Sequence, residues 1–385
     1  MSTRRLLVAL PLLLTLTPGI ALAESAVDPL RQVQQYGFSI HILAMLLVGF
    51  GFLMVFVKRY GYGAITGTYL VVATGIPLYL LLRSWGHLSA EPVEAQSIKG
   101  LLLAEFATAS ALIAMGAVLG RVRLFQYMLV AALLVPLYLL NEWLVLDGGM
   151  SLTRGFVDAA GSITIHAFGA YFGLGLAVAL TSERDREKPV RSDETSDRFS
   201  LIGSMVLWVF WPSFCSAVVA PEQLATAAVN TVLALCGATL ATFVTSQLMR
   251  KGKVAIGDIA NAALAGGVSI GATCNVAHPS EAFAIGVVAG CLCVVGYVAI
   301  QPRLQEALRI VDTCGVHNLH GMPGLLGGLA AAVLVPGIAG PQIWGIGVTV
   351  FLAVIGGLVS GYVVRATGRE PEPYEEMEDF HSELE

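Results

Sequence analysis

The chain has 385 residues, of which 56% are hydrophobic and 13% are charged, and its mean hydropathy is +0.75. Ordinary soluble domains carry about a quarter charged residues, so this composition excludes a globular protein surrounded by water. The apolar composition predicts lipid as a partner. The net charge is −5, and no basic patch interleaved with aromatic residues is present, so we expect no nucleic acid as a partner. The 42 glycines in so apolar a chain predict closely packed membrane helices.

The first 23 residues have the pattern of a cleavable signal peptide. Arg4 and Arg5 form a basic start, residues 6–16 form an apolar core, and Ala-Leu-Ala at 21–23 fits the small-x-small cleavage pattern. The alternative is a first membrane helix, but the apolar stretch is short and Pro18 interrupts it. We therefore predict removal of residues 1–23.

The remainder predicts an all-α polytopic membrane domain at residues 24–369. Runs of about twenty apolar residues suit helices that cross a hydrocarbon core about 30 Å thick. Eleven such runs are present, at residues 38–57, 62–82, 100–120, 124–146, 159–180, 200–219, 223–248, 256–276, 281–300, 315–335 and 342–364. A charged connector at 181–198 separates two halves, and the acidic tail at 370–385 is expected to be cytoplasmic and mobile.

Lysine and arginine predict the orientation, because they concentrate in loops that stay in the cytoplasm. With the mature N-terminus outside, eleven spans place sixteen of these residues on the cytoplasmic side and four on the other side. The sixteen are Lys58, Arg59, Arg121, Arg123, Arg184, Arg186, Lys188, Arg191, Arg198, Arg250, Lys251, Lys253, Arg303, Arg309, Arg365 and Arg369, and the four are Arg31, Arg83, Lys99 and Arg154. This asymmetry predicts a cytoplasmic C-terminus.

An internal repeat is the most specific pattern in the chain. Residues 158–166 and residues 312–320 both read Asp-x-x-Gly-x-x-x-x-His, and a glycine follows each histidine after seven residues, at Gly173 and Gly327. All four matches share one offset of 154 residues. The fifth predicted span runs inward and the tenth runs outward, so the halves at about 37–180 and 200–335 form a 5+5 inverted repeat, followed by a final helix at about 342–364. Inverted repeats are typical of transporters whose solute site lies near the middle of the membrane.

His166 and His320 are the first candidate site residues. Each follows its aspartate by eight residues, or about 12 Å along a helix, and the two enter from opposite faces. We therefore expect both rings near the midplane, where a histidine is costly unless it faces protein or a watery path. The alternative is two separate core histidines. Asp158 and Asp312 lie at helix N-termini, where a carboxylate either caps free N–H groups or contributes to the solute path.

Other candidates carry weaker signals. Phe106 and Phe214 lie in the third and sixth spans, where they either pack or form a hydrophobic constriction. Asp312, His317 and His320 share one segment and in principle bind a metal, although such a site wants further clustered ligands. We predict no metal, no cofactor and no disulfide framework. The remaining histidines, which lie near helix ends or in loops, are interpreted as incidental: His41, His87, His278 and His381.

Four segments resemble signatures of the Rh branch of the ammonium transporter superfamily. They are GSITIHAFGAYFG at 161–173, DTCGVHNLHGMPG at 312–324, WPSFCSA at 211–217 and NAALAGGV at 261–268. The first two are highly specific, and the similarity extends over essentially the whole mature chain.

The resemblance implies a homotrimer in a bacterial inner membrane, with one pore per subunit that carries ammonia or ammonium and no enzymatic activity. It also raises methylamine and carbon dioxide as substrates. It assigns His166 and His320 to the twin pore histidines, Phe106 and Phe214 to a stacked gate on the outer side, and Asp158 to the acidic residue below the outer vestibule.

The chain departs from the related Amt branch at two positions that bind the cation there. Val218 stands where a serine is usual, and an ungapped count places Leu146 where a tryptophan is usual. Cys215 replaces an asparagine that is common beside the gate in Rh relatives. These departures disfavour high-affinity ammonium scavenging and fit the Rh branch.

Three function classes follow. The leading hypothesis is an ammonia channel, in which ammonia crosses alone or the proton follows separately through the histidines and water. The second is an intramembrane metalloenzyme that uses Asp312, His317 and His320. The third is an ammonium sensor that signals through the tail.

Overall fold

The computed structural model describes residues 28–86, 96–376 and 380, and most of these residues are helical. The chain divides into two units, Met1–Gln34 and Gln35–Glu385. Of the first unit the structure describes residues 28–34, which contain the beginning of the first helix. The predicted signal peptide at 1–23 lies outside the described residues.

Each of the eleven predicted spans corresponds to a helix in the described part of the chain. The helices are α1 (Pro29–Phe56), α2 (Gly61–Ser84), α3 (Ile98–Ala117), α4 (Gln126–Val145), α5 (Ser162–Leu180), α6 (Glu194–Ser216), α7 (Pro221–Met249), α8 (Ile256–Ile270), α9 (Pro279–Leu308), α10 (His317–Gly321 continued by Met322–Leu334) and α11 (Ala339–Ala366). A short helix, Glu183–Glu187, lies in the connector between the halves. The predicted all-α membrane bundle is confirmed.

Nine of these helices are long and apolar enough to cross a membrane by themselves, counting described residues only. The two others are α8, which is short, and α10, which begins with two histidines and an asparagine. Both are largely surrounded by protein, so their polar or short segments need not face lipid. The apolar runs at 256–276 and 315–335 predict both of these helices, although neither meets the length and hydropathy criterion by itself.

The bundle is built around α3 and α5, in which 89% of the apolar window of each helix is buried. The final helix, α11, packs along α5 and α4. Glycines allow the closest helix contacts: a Cβ at Gly357 of α11 would lie 2.0 Å from the Phe172 carbonyl oxygen of α5, and one at Gly286 of α9 would lie 2.0 Å from the Ala234 carbonyl oxygen of α7. The prediction that the glycines permit close packing is confirmed at these crossings.

The acidic tail lies against the end of the bundle that also carries the 181–193 connector, which we call the connector face. Lys188 Nζ lies 2.8 Å from Glu372 Oε1 and 3.4 Å from Glu375 Oε1. The hydrogen bond from Lys188 lowers the pKa of the Glu372 carboxyl. Arg59 Nη1 lies 3.5 Å from Glu375 Oε1.

Two tail residues are buried on the same face. Tyr374 is buried and donates its N–H to the carbonyl oxygen of Gly120 at 2.8 Å. The Glu376 carboxylate accepts the N–H of Gly63 at 2.8 Å and so caps the N-terminus of α2. The expectation of a mobile tail is therefore wrong for residues 370–376, because this segment has both a buried ring and a helix-capping carboxylate.

We predict that Gly357→Leu destabilises the bundle while Gly347→Leu, in the same helix, does not. The added side chain at Gly357 meets the α5 backbone, whereas a Cβ at Gly347 has nothing within 4 Å. Overpacking of this kind costs about 1–3 kcal/mol. Thermal aggregation of the detergent-solubilised protein, followed by size-exclusion chromatography, measures the difference. Equal midpoints for the two variants would contradict close packing of α5 against α11.

Candidate functional site

The two copies of the repeat fold into the same local structure. In each, a glycine in the left-handed region, Gly161 at φ 78° and Gly315 at φ 68°, turns the chain into a helix. Each helix opens with a π-helical segment, Ser162–Ala167 or His317–Gly321, and continues as an α-helix, Phe168–Leu180 or Met322–Leu334. The α-helical parts are related by the same offset of 154 residues as the sequence motif. Wide π-helical turns often occur at functional sites.

The paired aspartates cap these helices. Asp158 Oδ2 accepts the N–H groups of Ile163 at 3.0 Å and Thr164 at 2.7 Å. Asp312 accepts those of Val316 at 3.0 Å and His317 at 3.1 Å. The observed helices begin at Ser162 and His317, later than the predicted starts at 159 and 315, because the aspartate and the glycine precede the first turn. Asp158 Oδ1 is buried and has no partner among the described residues.

The two histidines of the repeat meet at the centre of the bundle. His166 Nδ1 lies 3.2 Å from His320 Nδ1, and the ring planes are nearly parallel, with an interplanar angle of 9° and centroids 5.3 Å apart. His166 is 3% exposed and His320 is 5% exposed. The structure therefore brings together the two residues that the sequence repeat predicts to be close.

This contact restricts the protonation of the pair. A hydrogen bond between two Nδ1 atoms needs one donor and one acceptor, so the two neutral rings carry opposite tautomers. The ring that donates from Nδ1 has an Nε2 acceptor, and its partner has an Nε2–H donor. The pair thus offers one acceptor and one donor to a small polar solute.

Two aromatic rings flank the histidine pair. Trp211 stacks against His166 at 5.6 Å and 23°, and Phe50 stacks against His320 at 6.2 Å and 22°. The Trp211 ring packs directly on the backbone of Gly267. Any larger residue there would clash with the ring, since a Cβ at Gly267 would lie 2.5 Å from it. The sequence patterns predict no such contact for Phe50 or Trp211. The local sequence carries no signal for Phe50, which is one of many apolar residues in α1.

Phe106 and Phe214 lie next to this pair. Their ring centroids are 4.5 Å apart at an interplanar angle of 49°, and the Phe214 centroid lies 6.0 Å from that of His166. Both rings are buried. The order of groups is therefore the phenyl pair, then His166, then His320.

Two cavities lie beyond His320. A small cavity of about 20 Å³ touches His320, Phe50 and Leu319, and has room for about one water molecule. A cavity of about 600 Å³ opens at the connector face and includes Asp312 in its lining. Asn261 and Cys314 line both cavities. The phenyl pair, the histidine pair, the small cavity and the wide vestibule therefore follow one another, and we infer a narrow, mainly apolar passage along them.

The metal hypothesis gains no support from the geometry. Within residues 28–86, 96–376 and 380, no group of three His, Cys, Asp or Glu side chains could hold a metal ion. Asp312 caps α10, and His317 packs edge-on against Tyr171 at 5.7 Å. The predicted trio of Asp312, His317 and His320 is therefore not assembled around a common point.

Of the four histidines interpreted as incidental, the structure describes two. His87 and His381 lie outside the described residues. His278 is exposed and caps the N-terminus of α9. His41 is different: its Nδ1 lies 2.8 Å from Ser213 Oγ, and its ring stacks on Phe210 at 4.8 Å. The contact joins residues 172 positions apart, so no local pattern could have indicated it.

Two repeated helices that meet at buried histidines inside a membrane bundle indicate a transport protein. The family model described as Ammonium Transporter Family matches residues 5–381, and the chain belongs to that family. Members of the family are transporters rather than enzymes.

Curated relatives and solved structures give the same placement. The chain is 36% identical over 354 residues to "Ammonium transporter Rh type C" of Xenopus laevis, covering 83% of this chain and 74% of the relative. It is also 36% identical to the human protein of that name, covering 83% and 73%. The solved structure of Nitrosomonas europaea Rh50, described as belonging to the Rhesus protein family of channels, is 59% identical and covers 92% of this chain and 93% of its own, with a TM-score of 0.91. The Rh branch indicated by the sequence motifs is confirmed.

We predict that the Phe106→Ala/Phe214→Ala variant passes methylamine more readily relative to ammonia, because the two rings narrow the passage. We expect the ratio of the two permeabilities to rise roughly tenfold, which corresponds to about 1.4 kcal/mol of barrier. Stopped-flow permeation into proteoliposomes measures both fluxes.

The matched control is Phe52→Ala/Phe199→Ala, which removes another phenyl pair, with centroids 5.6 Å apart, outside the passage. It should leave the ratio unchanged. If the Phe106/Phe214 variant mainly fails to assemble, the rings pack the core and do not gate a path.

Proposed function

We propose that this chain is an ammonia channel of the Rh type, in which NH3 passes between Phe106 and Phe214 and then along His166 and His320. Membership of the family supports ammonia or ammonium as the conducted solute. The observation that carries the finer proposal is the 3.2 Å contact between two buried imidazoles directly behind a phenyl pair.

The passage favours a neutral solute over a cation. Transfer of an unpaired ion into apolar protein costs on the order of tens of kcal/mol by Born solvation, and the usual escape is neutralisation. Ammonium therefore transfers a proton to water before the phenyl pair, and ammonia continues. Its lone pair and its N–H groups then meet the Nε2–H and the Nε2 lone pair of the histidines.

The acidic groups fit this scheme as supporting residues. Asp158 and Asp312 hold the first turns of α5 and α10 and so fix the backbone that carries each histidine. Asp158 also keeps one carboxylate oxygen free of described partners. That oxygen is our candidate for a favourable interaction with the cation before it loses its proton.

Assembly and location are proposed on similarity and charge. We infer a homotrimer with one path per subunit in a bacterial inner membrane, because the chain resembles Rh channels over nearly its full length. The signal-peptide pattern and the sixteen-to-four distribution of basic residues support an extracytoplasmic mature N-terminus. The connector face, with its wide vestibule and docked tail, is then cytoplasmic.

The main test is permeation by the purified protein alone. Proteoliposomes should alkalinise faster than empty liposomes when ammonia is applied, and this should require no added partner. A protein that binds ammonium without conducting it would support the sensor hypothesis.

The histidine prediction separates the two conduction modes. His166→Leu and His320→Leu remove polar partners from ammonia and break any proton path through the rings, since an alkyl side chain relays no proton. If ammonia crosses alone, both variants conduct less and no current appears in any protein. If the proton is relayed, the wild type shows an ammonium-dependent current that the variants lose.

Solid-supported-membrane currents, measured beside stopped-flow flux, distinguish these modes. His317→Leu is the control, because it removes an imidazole one turn earlier in α10 that does not contact the pair. Wild-type flux and current in both single variants would contradict a role of the pair in conduction.

The orientation is tested with a C-terminal fusion to a reporter that is active only in the periplasm. We expect the fusion to be inactive, since the tail should be cytoplasmic. A fusion placed in the loop between α6 and α7 should be active and serves as the positive control. Activity of the C-terminal fusion would overturn the proposed orientation.

A further inference from the structure

Helix α1 forms two hydrogen bonds that end one residue before each ring of the phenyl pair. Ser39 Oγ donates to Glu105 Oε1 at 2.6 Å, and Glu105 directly precedes Phe106. His41 Nδ1 lies 2.8 Å from Ser213 Oγ, and Ser213 directly precedes Phe214. One helix is therefore bonded to both helices that carry the rings.

The first of these bonds is deeply buried. Ser39 is 1% exposed and Glu105 is 0% exposed, and Glu105 Oε2 has no partner among the described residues. A carboxyl group at this depth is costly, and intramembrane ionisable groups usually serve a function. The Ser39 hydroxyl donates a hydrogen bond to this carboxyl group and so partly offsets the cost of burying it.

The second bond is reinforced by ring stacking. The imidazole of His41 lies on Phe210, with centroids 4.8 Å apart and an interplanar angle of 22°. Phe210 lies one turn before Phe214 in α6. His41 thus contacts α6 on two successive turns, at Phe210 and at Ser213.

The two helices that carry the phenyl rings, α3 and α6, are connected mainly through α1. Among the described residues, α3 and α6 have little direct packing with each other, whereas the π-helical part of α1 packs against both. The spacing of the phenyl rings is consequently set through a third element. We expect a small shift of α1 relative to either helix to change the separation of the rings, whose centroids are 4.5 Å apart.

We propose that Ser39 and His41 are positioning residues of the phenyl gate, and that α1 acts as a brace that holds Phe106 and Phe214 at their spacing. Glu105 and Ser213 are the attachment points of this brace. The inference rests on the proposed gate. It assigns to Glu105 the part of hydrogen-bond acceptor, and it requires no charge on that residue.

The test is the ratio of methylamine to ammonia permeability in proteoliposomes that contain the full-length protein. Ser39→Ala and His41→Phe each remove one bond, and His41→Phe keeps a ring to stack on Phe210. Each variant should raise the ratio by about fivefold, the change that corresponds to one hydrogen bond of typical net strength. Glu105→Gln keeps an acceptor for Ser39 and should retain the wild-type ratio, whereas Glu105→Ala should not.

Two results would overturn the brace. One is a wild-type ratio in both Ser39→Ala and His41→Phe. The other is an equal change in Glu105→Gln and Glu105→Ala, which would show that the charge and not the hydrogen bond matters. If Ser39→Ala does not assemble, the test rests on His41→Phe, because His41 is partly exposed and its replacement keeps the aromatic contact.

A combined variant separates failure of the brace from failure of the gate. In the Phe106→Ala/Phe214→Ala background there are no rings to position, so His41→Phe should produce no further change. A further fivefold change in that background would contradict the brace. A wild-type ratio in Phe106→Ala/Phe214→Ala itself would contradict the proposed gate, whatever the α1 variants do.

Discussion

The hydrogen bond between His166 and His320 joins the two copies of the repeat, one from each half of the chain. Each ring is carried by a helix that begins with an aspartate cap, a left-handed glycine and a π-helical turn, and the two rings meet at one place. The contact at 3.2 Å requires complementary tautomers, so the pair adds polarity to an apolar passage without adding charge. The stacking of Trp211 and Phe50 on either side holds the two planes parallel.

Much of this site could be predicted from sequence, because the repeat consists of residues whose roles in the backbone and in helix capping depend on their local position. A glycine at positive φ, a carboxylate that caps a helix and a histidine at a fixed distance recur at one offset, and topology then places both histidines at similar depth. The hydropathy signal of α10 is weakened by His317, Asn318 and His320 in its first turns. The apolar run at 315–335 still predicts that helix, and the repeat and the family motif agree with it.

Other features depend on contacts between distant segments, and no local pattern reveals them. His41 lies near the end of the span predicted at 38–57 and is interpreted from sequence as incidental, yet the packing of α1 on α6 brings its partner Ser213 to it. The tail sequence predicts a solvated acidic segment, because its glutamates outnumber its apolar residues. Its docking depends on Tyr374 and on free N–H groups at the start of α2, which only the folded bundle presents.

The opposite tautomers of the histidine pair have a consequence for the timing of any proton transfer through them. When a proton arrives at the Nε2 acceptor of one ring, the shared Nδ1 proton moves to the other ring, whose Nε2 then releases its own. Both tautomers are now reversed, and the pair cannot accept a second proton from the same side. The bonded chain must first be restored, by rotation of the rings or by exchange of protons with passing ammonia or water. A relay of this construction would carry one proton per cycle, and the restoring step would set its fastest rate.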